Sequence, residues 1–183
     1  MNLPNFISLA RLLSVPLIVW MIVNGWMVTA LWASLAAGLS DAVDGFLAKR
    51  FSWRTKLGVY LDPIADKVLL VSLFLALGVQ GHLPSWLVIL VVFRDLMIVG
   101  GALLTHTFNL GTASITPLMV GKLNTLLQIM LVLEVLARVA YGFTDPGVGS
   151  VLIYAVAATT LASGAGYVAR WVRATRQVER PAE

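Results

Sequence analysis

Six apolar stretches, each close to the ~20 residues that a helix needs to cross a bilayer, occupy most of this 183-residue chain. They fall at 6–23, 27–46, 57–78, 85–104, 117–140 and 149–171. A segment in lipid must satisfy its own backbone hydrogen bonds, so runs of this length predict helices. Breakers separate them: Asn24-Gly25, the basic stretch 49–56, Gly81 to Pro84, the polar run 105–116, and Gly142 to Gly149. Only 12% of residues are charged, about half the share usual in a soluble domain. The expected fold is an all-α integral membrane protein, one six-helix bundle over residues 1–183. With no cysteine, disulfides, thiolate metal sites and cysteine nucleophiles are excluded.

Charge sets the expected orientation. Eight of the thirteen lysines and arginines lie in two places. Lys49, Arg50, Arg54 and Lys56 follow the second span, and Arg170, Arg173, Arg176 and Arg180 follow or end the sixth. The connections after spans one, three and five carry none. Basic loops stay in the cytoplasm, so both termini and the 47–56 loop are expected there. Residues 1–5 hold no basic residue and Arg11 interrupts the first apolar run, unlike a cleaved signal. The expected location is a bacterial inner membrane. The net charge of +4 does not imply nucleic acid, because the basic tail after Val172 suits anionic headgroups. Arg138 lies near the outer end of span five, with Glu134 one turn earlier as its expected partner.

Four aspartates break the apolar pattern as two tight pairs, Asp41/Asp44 and Asp62/Asp66. Ionised carboxylates within lipid-compatible sequence are costly and usually functional. Separations of three and four put each pair on one helical face. By the topology, spans two and three are antiparallel neighbours, and both pairs lie near their cytoplasmic ends. Four such carboxylates repel one another or protonate unless a cation lies between them. An all-oxygen donor set favours magnesium, manganese or calcium over zinc. A lone membrane aspartate is commonly a helix-end residue or a lysine partner, a reading that suits four at this spacing poorly.

The run from Asp41 to Asp66 reads D-A-V-D-G-F-L-A-K-R-F-S-W-R-T-K-L-G-V-Y-L-D-P-I-A-D. It resembles the D-x2-D-G-x2-A-R-x8-G-x3-D-x3-D motif of the CDP-alcohol phosphatidyltransferases. Asp41, Asp44, Gly45, Ala48, Gly58, Asp62 and Asp66 fall on it in register, and Lys49 replaces the usual arginine, with Arg50 next. Lysine offers a phosphate a point charge in place of a bidentate fork, which leaves open whether Lys49 or Arg50 meets the donor. Pro4-Asn5 to Arg11 and Asp62-Pro63 to Lys67 are similar to the phosphatidylglycerol-phosphate and cardiolipin synthase branches.

The resemblance implies a six-helix, dimeric membrane enzyme whose site opens to the cytoplasmic interface. It implies CDP-diacylglycerol as donor, an acceptor hydroxyl as nucleophile and CMP as leaving group. Two magnesium (or manganese) ions are implied on Asp41, Asp44, Asp62 and Asp66, with Asp66 also the general base. Gly45, Ala48, Lys49, Arg50 and Gly58 are the implied contacts of the donor nucleotide and diphosphate.

Arg11, Lys67, Arg94 and Lys122 are basic residues set within spans one, three, four and five, and form the expected acceptor site. Such a set suits an anionic acceptor, either phosphatidylglycerol or glycerol 3-phosphate. Each has a plainer reading as a salt bridge: Lys67 with Asp62 or Asp66, and Arg94 with Asp95 or an aspartate on another helix. Arg94-Asp95 and Lys122-x-Asn124-Thr125-x-x-Gln128 look more like the eukaryotic-type cardiolipin synthases, so phosphatidylglycerol is the expected acceptor. A different class stays open here. Buried acids also line cation transporters, although the internal repeats common in those folds are not evident.

Overall fold

The computed structural model describes residues 3–51, 56–107, 119–145 and 147–178, with side chains described over 9–40, 65–101, 119–145 and 147–170. Six helices follow one another: α1 Leu3–Val23, α2 Met27–Phe51, α3 Lys56–Val79, α4 Ser85–Thr107, α5 Met119–Tyr141 and α6 Val148–Val178. Each expected span lies on one helix, except that residues 117–118 of the fifth lie outside the described residues. The helices overrun some expected ends, because an apolar window stops at the first charges whereas backbone hydrogen bonding does not. α2 continues through the basic residues to Phe51, and α4 carries His106, which the sequence assigns to a loop. Among the described residues, the Met119–Tyr141 and Val148–Arg170 segments are long and apolar enough to cross a membrane.

The chain divides into two units. The first comprises residues 1–85 and 132–149, and the second 86–131 and 150–183.

In the first unit, three helices end in the same way. After α1, the Trp26 amide donates to the Met21 carbonyl at 2.8 Å and the Gly25 amide to Ile22 at 3.0 Å. After α3, the His82 amide donates to Leu77 at 2.9 Å and the Gly81 amide to Gly78 at 3.0 Å. These are Schellman closures, which need a left-handed residue past the helix end. Gly25 and Gly81 supply it, each with φ of 76°. Gly142, with φ of 66°, closes α5, where the Phe143 amide reaches the Arg138 carbonyl.

α1 packs against both α2 and α3. Two cross-helix bonds fix the register of α1 and α3. Arg11 bonds to Asp66 near one end, and the Gln80 amide donates to the Ile22 and Val23 carbonyls at the other. Both residue numbers rise together, so the two helices run parallel. α2 returns after a three-residue turn, so its C-terminal half lies toward the N-terminal halves of α1 and α3. Val15, Ile18 and Ile22 of α1 and Leu70, Leu73, Phe74 and Leu77 of α3 form buried stripes at helical spacing. Leu13, Leu17 and Trp20 of α1 are exposed, as suits a face turned to lipid.

The α5–α6 connection also belongs to this unit. Arg138 Nε donates to Glu134 Oε1 at 3.2 Å, the pairing expected from sequence. Asp145 Oδ1 accepts from the Gly147 and Gly149 amides at 2.8 and 3.1 Å, capping the start of α6. The Gly149 amide is the chief cause holding the Asp145 carboxyl below its usual range.

The second unit has a more polar interior. Leu87, Val91, Arg94 and Asp95 form the buried stripe of α4. Asn124, Gln128 and Leu131 form that of α5, and Val156, Thr160 and Ser163 that of α6.

Candidate active site

Arg11 and Asp66 form a cross-helix ion pair in the first unit. Arg11 continues the buried Val15–Ile18–Ile22 stripe one turn toward the N-terminus of α1, so its guanidinium is carried into the helix packing. Asp66 follows fully buried Ala65 on α3 and lies at the edge of that packing. Arg11 Nη1 donates to Asp66 Oδ1 at 2.6 Å. The arginine side chain is 2% exposed and the aspartate side chain 45% exposed. Removing a guanidinium from water costs several kcal/mol unless a counter-charge compensates it. The pair therefore holds Arg11 in place and leaves Asp66 half open to its surroundings. A charge-assisted contact of this length is stronger than a neutral hydrogen bond and restricts the carboxylate's rotation.

The other expected metal ligands lie on α2 and α3. Asp41 and Asp44 belong to the C-terminal half of α2, and Asp62 to the N-terminal half of α3. Gly45, Ala48, Lys49 and Arg50 also lie on α2, and Gly58 on α3. The side chains of all these residues fall outside the described set. Among the described residues no cluster of three metal-ligating side chains occurs. Asp66, the expected ligand whose side chain is described, is a half-open carboxylate, the donor type that a hard divalent cation takes. Lys67 is half-buried beside it on α3.

The second unit holds a different arrangement. Arg94 Nη1 donates to Asp95 Oδ1 at 2.6 Å, and both side chains are 5% exposed. Arg94 Nη2 donates to Ser163 Oγ of α6 at 2.5 Å, and the guanidinium carbon lies 5.9 Å from the centre of the Tyr167 ring. Arg94 Nε is buried without a partner. Gly121 of α5 passes so close that an added Cβ would lie 3.2 Å from Arg94 Nη2 and 3.7 Å from Ser163 Oγ. Lys122, the next residue, is exposed. One turn along α5, Asn124 Oδ1 accepts from Thr159 and Thr160 Oγ1 at 2.8 and 2.9 Å. Gln128, a further turn on, is fully buried with neither end of its amide partnered.

The sequence therefore anticipates the Arg94–Asp95 pair. Arg94 takes the adjacent Asp95, the plainer of the two readings offered for it. It misses the Arg11–Asp66 pair, whose members lie 55 residues apart. It also misses Thr159, Thr160 and Ser163, although polar residues three to four apart in an apolar span are a readable sign of a buried polar face.

Comparison with known sequences settles the family. The model for CDP-alcohol phosphatidyltransferases matches residues 1–162, which include all four aspartates, Arg11, Arg94 and Lys122. The chain belongs to the CDP-alcohol phosphatidyltransferase family. Membership identifies the six helices as a membrane helical bundle and favours transferase chemistry over the cation-transport reading. Several curated relatives align over nearly the whole chain. The rice chloroplastic CDP-diacylglycerol–glycerol-3-phosphate 3-phosphatidyltransferase 1 is 39% identical over 184 residues, covering 91% of this chain and 56% of the relative. A fission yeast cardiolipin synthase (CMP-forming)/mitochondrial hydrolase fusion protein is 32% identical, covering 91% of this chain and 30% of the relative. Human cardiolipin synthase (CMP-forming) is 31% identical, covering 91% and 60%. The chain thus spans from under a third to about three-fifths of the length of these relatives. The higher identity to the glycerol-3-phosphate enzyme runs against the phosphatidylglycerol preference read from Arg94-Asp95 and Asn124.

Proposed function

We propose that this chain transfers the phosphatidyl group of CDP-diacylglycerol to a hydroxyl of glycerol 3-phosphate, releasing CMP. The observation that carries the transferase reading is Asp66. It lies on the family motif and presents a half-open carboxylate held by a buried arginine. The 39% identity to the rice enzyme supports glycerol 3-phosphate as acceptor.

The acceptor oxygen forms a bond to the lipid-linked phosphorus. The bond from that phosphorus to the bridging oxygen breaks, and CMP leaves with the electron pair. Asp66 takes the proton of the attacking hydroxyl, as a positioned carboxylate can. Asp41, Asp44, Asp62 and Asp66 would hold one or two magnesium (or manganese) ions, which when bound supply positive charge to the diphosphate. Gly45, Ala48, Lys49, Arg50 and Gly58 receive the donor, with the glycines leaving the backbone open to close approach. Lys67 and Lys122 attract the acceptor phosphate, and Arg94 approaches Gly121, the residue before Lys122, at the start of α5. The assembly we infer is a homodimer in a bacterial inner membrane, with both termini cytoplasmic.

A second reading, phosphatidylglycerol as acceptor to give cardiolipin, is favoured by the Lys122-x-Asn124-Thr125-x-x-Gln128 run and the 31% identity to the human enzyme. Purified protein incubated with CDP-diacylglycerol, magnesium and each acceptor in turn separates the two. CMP release with glycerol 3-phosphate alone supports the first reading, and release with phosphatidylglycerol alone supports the second. Cation flux in proteoliposomes without CMP release from either would overturn both.

A further inference from the structure

We infer that Arg11 is a positioning residue for Asp66 and not a ligand of the acceptor. The inference rests on the transferase reading above and assigns a role within that site. The acceptor role expected for Arg11 requires its guanidinium to reach a substrate phosphate. Instead the side chain is 2% exposed, and Nη1 is committed to Asp66 Oδ1 at 2.6 Å. Lys122, by contrast, is exposed and able to meet a soluble anion.

The geometry suits alignment of a carboxylate. α1 and α3 are registered at two points more than ten residues apart, the Arg11–Asp66 pair and the Gln80 bonds to the end of α1. Sliding or rotation of Asp66 relative to Arg11 is thereby opposed at both ends. The guanidinium is buried on the same stripe of α1 as Val15 and Ile18, away from solvent. A carboxylate hydrogen-bonded through one oxygen has its plane restricted, which fixes the direction from which a hydroxyl proton can reach it. Misplacing a reacting group by about 1 Å can cost a hundredfold in rate. Arg11 acts through Asp66 and touches no substrate.

The test uses the full chain in detergent with CDP-diacylglycerol and magnesium. CMP release is followed as glycerol 3-phosphate is varied, and rates are normalised to the folded fraction from a thermal melt. Arg11→Met is expected to lower kcat by a hundredfold or more while leaving the acceptor KM within threefold. Arg11→Lys, which keeps the charge and is the safer variant to fold, is expected to recover part of kcat with the same KM. A glycerol 3-phosphate fluorinated beside the attacking hydroxyl supplies a more acidic nucleophile that leans less on the base. With it, the deficits of Arg11→Met and of Asp66→Asn are expected to shrink together by at least fivefold. A loss of fold alone would leave the deficit the same for both acceptors.

A tenfold rise in acceptor KM at unchanged kcat in either Arg11 variant would overturn the assignment and restore Arg11 to the acceptor site. Equal deficits with both acceptors would also overturn it. Wild-type protein that releases no CMP with either natural acceptor would overturn the transferase reading itself, an outcome distinct from failure of Arg11 alone.

Discussion

Two arginines are buried among the described residues, one in each unit, and both donate Nη1 to an aspartate at 2.6 Å. The aspartates differ. Asp66 reaches Arg11 from another helix and is 45% exposed, whereas Asp95 is adjacent to Arg94 and 5% exposed. Arg94 is further held by Ser163 and lies near the Tyr167 ring. On the proposed assignment the same ion pair serves two ends. Where the carboxylate is open, the arginine orients a group that can meet substrate. Where both partners are closed off, the pair neutralises itself and ties α4 to α6. Burial of the acid, more than the presence of the bond, separates a chemical role from a structural one.

The largest effects should divide along that line. Asp66→Asn removes the proposed base, so CMP release should fall by roughly 10²–10⁴, the range for a positioned general base. Its melting temperature should also fall, because an amide can still accept from Arg11 but no longer compensates the buried guanidinium's charge, so turnover is normalised to the folded fraction. Wild-type turnover in this variant would remove the base. Arg94→Met leaves Asp95 buried without its charge partner and should cost about 3–5 kcal/mol in stability. Replacing both, Arg94→Met with Asp95→Leu, should restore most of that loss in a detergent melt. A double variant as unstable as the single one would show that the contacts to Ser163 and Tyr167, and not charge compensation, hold this region. If the double variant folds well and also retains turnover, Arg94 has no part in binding the acceptor.

Lys122 gives a smaller effect of a different kind. It is exposed, so Lys122→Ala should leave the fold intact. The acceptor KM should rise about tenfold, the equivalent of about 1.4 kcal/mol, with kcat nearly unchanged. An unchanged KM would move acceptor recognition away from the start of α5.

Much of this division was legible in the sequence, for physical reasons that also mark where reading stops. The helix ends were legible because Asn24-Gly25, Gly81 and Gly142 are the residues that Schellman closures require, and α1, α3 and α5 close on them. The helices that carry the aspartate pairs were legible from local pattern, and α2 and α3 do carry them. The Arg11–Asp66 pair was not, since it depends on the register between two helices, which no local spacing encodes. The bonds from Thr159 and Thr160 to Asn124 were hidden for the same reason. The acceptor preference rested on two short cues, Arg94-Asp95 and Asn124, whereas identity over the whole chain is higher to the glycerol-3-phosphate enzyme. In the structure Arg94 donates to Asp95 within a buried polar interior, so that cue reports packing as much as acceptor chemistry.

Gln128 is the smallest test and the sharpest on the closed unit. Its side chain is fully buried, with neither amide end partnered, one turn from Asn124 on α5. An unsatisfied buried amide typically costs about 1–3 kcal/mol, and an apolar replacement of similar shape removes that cost. If the interior of the second unit is purely structural, Gln128→Leu should melt at or above the wild-type temperature and keep turnover within twofold. A variant that is as stable but releases CMP far more slowly would mean that the amide meets a substrate in the working enzyme. The closed unit would then carry chemistry of its own, and exposure of the acid would no longer be the feature that distinguishes the two arginines.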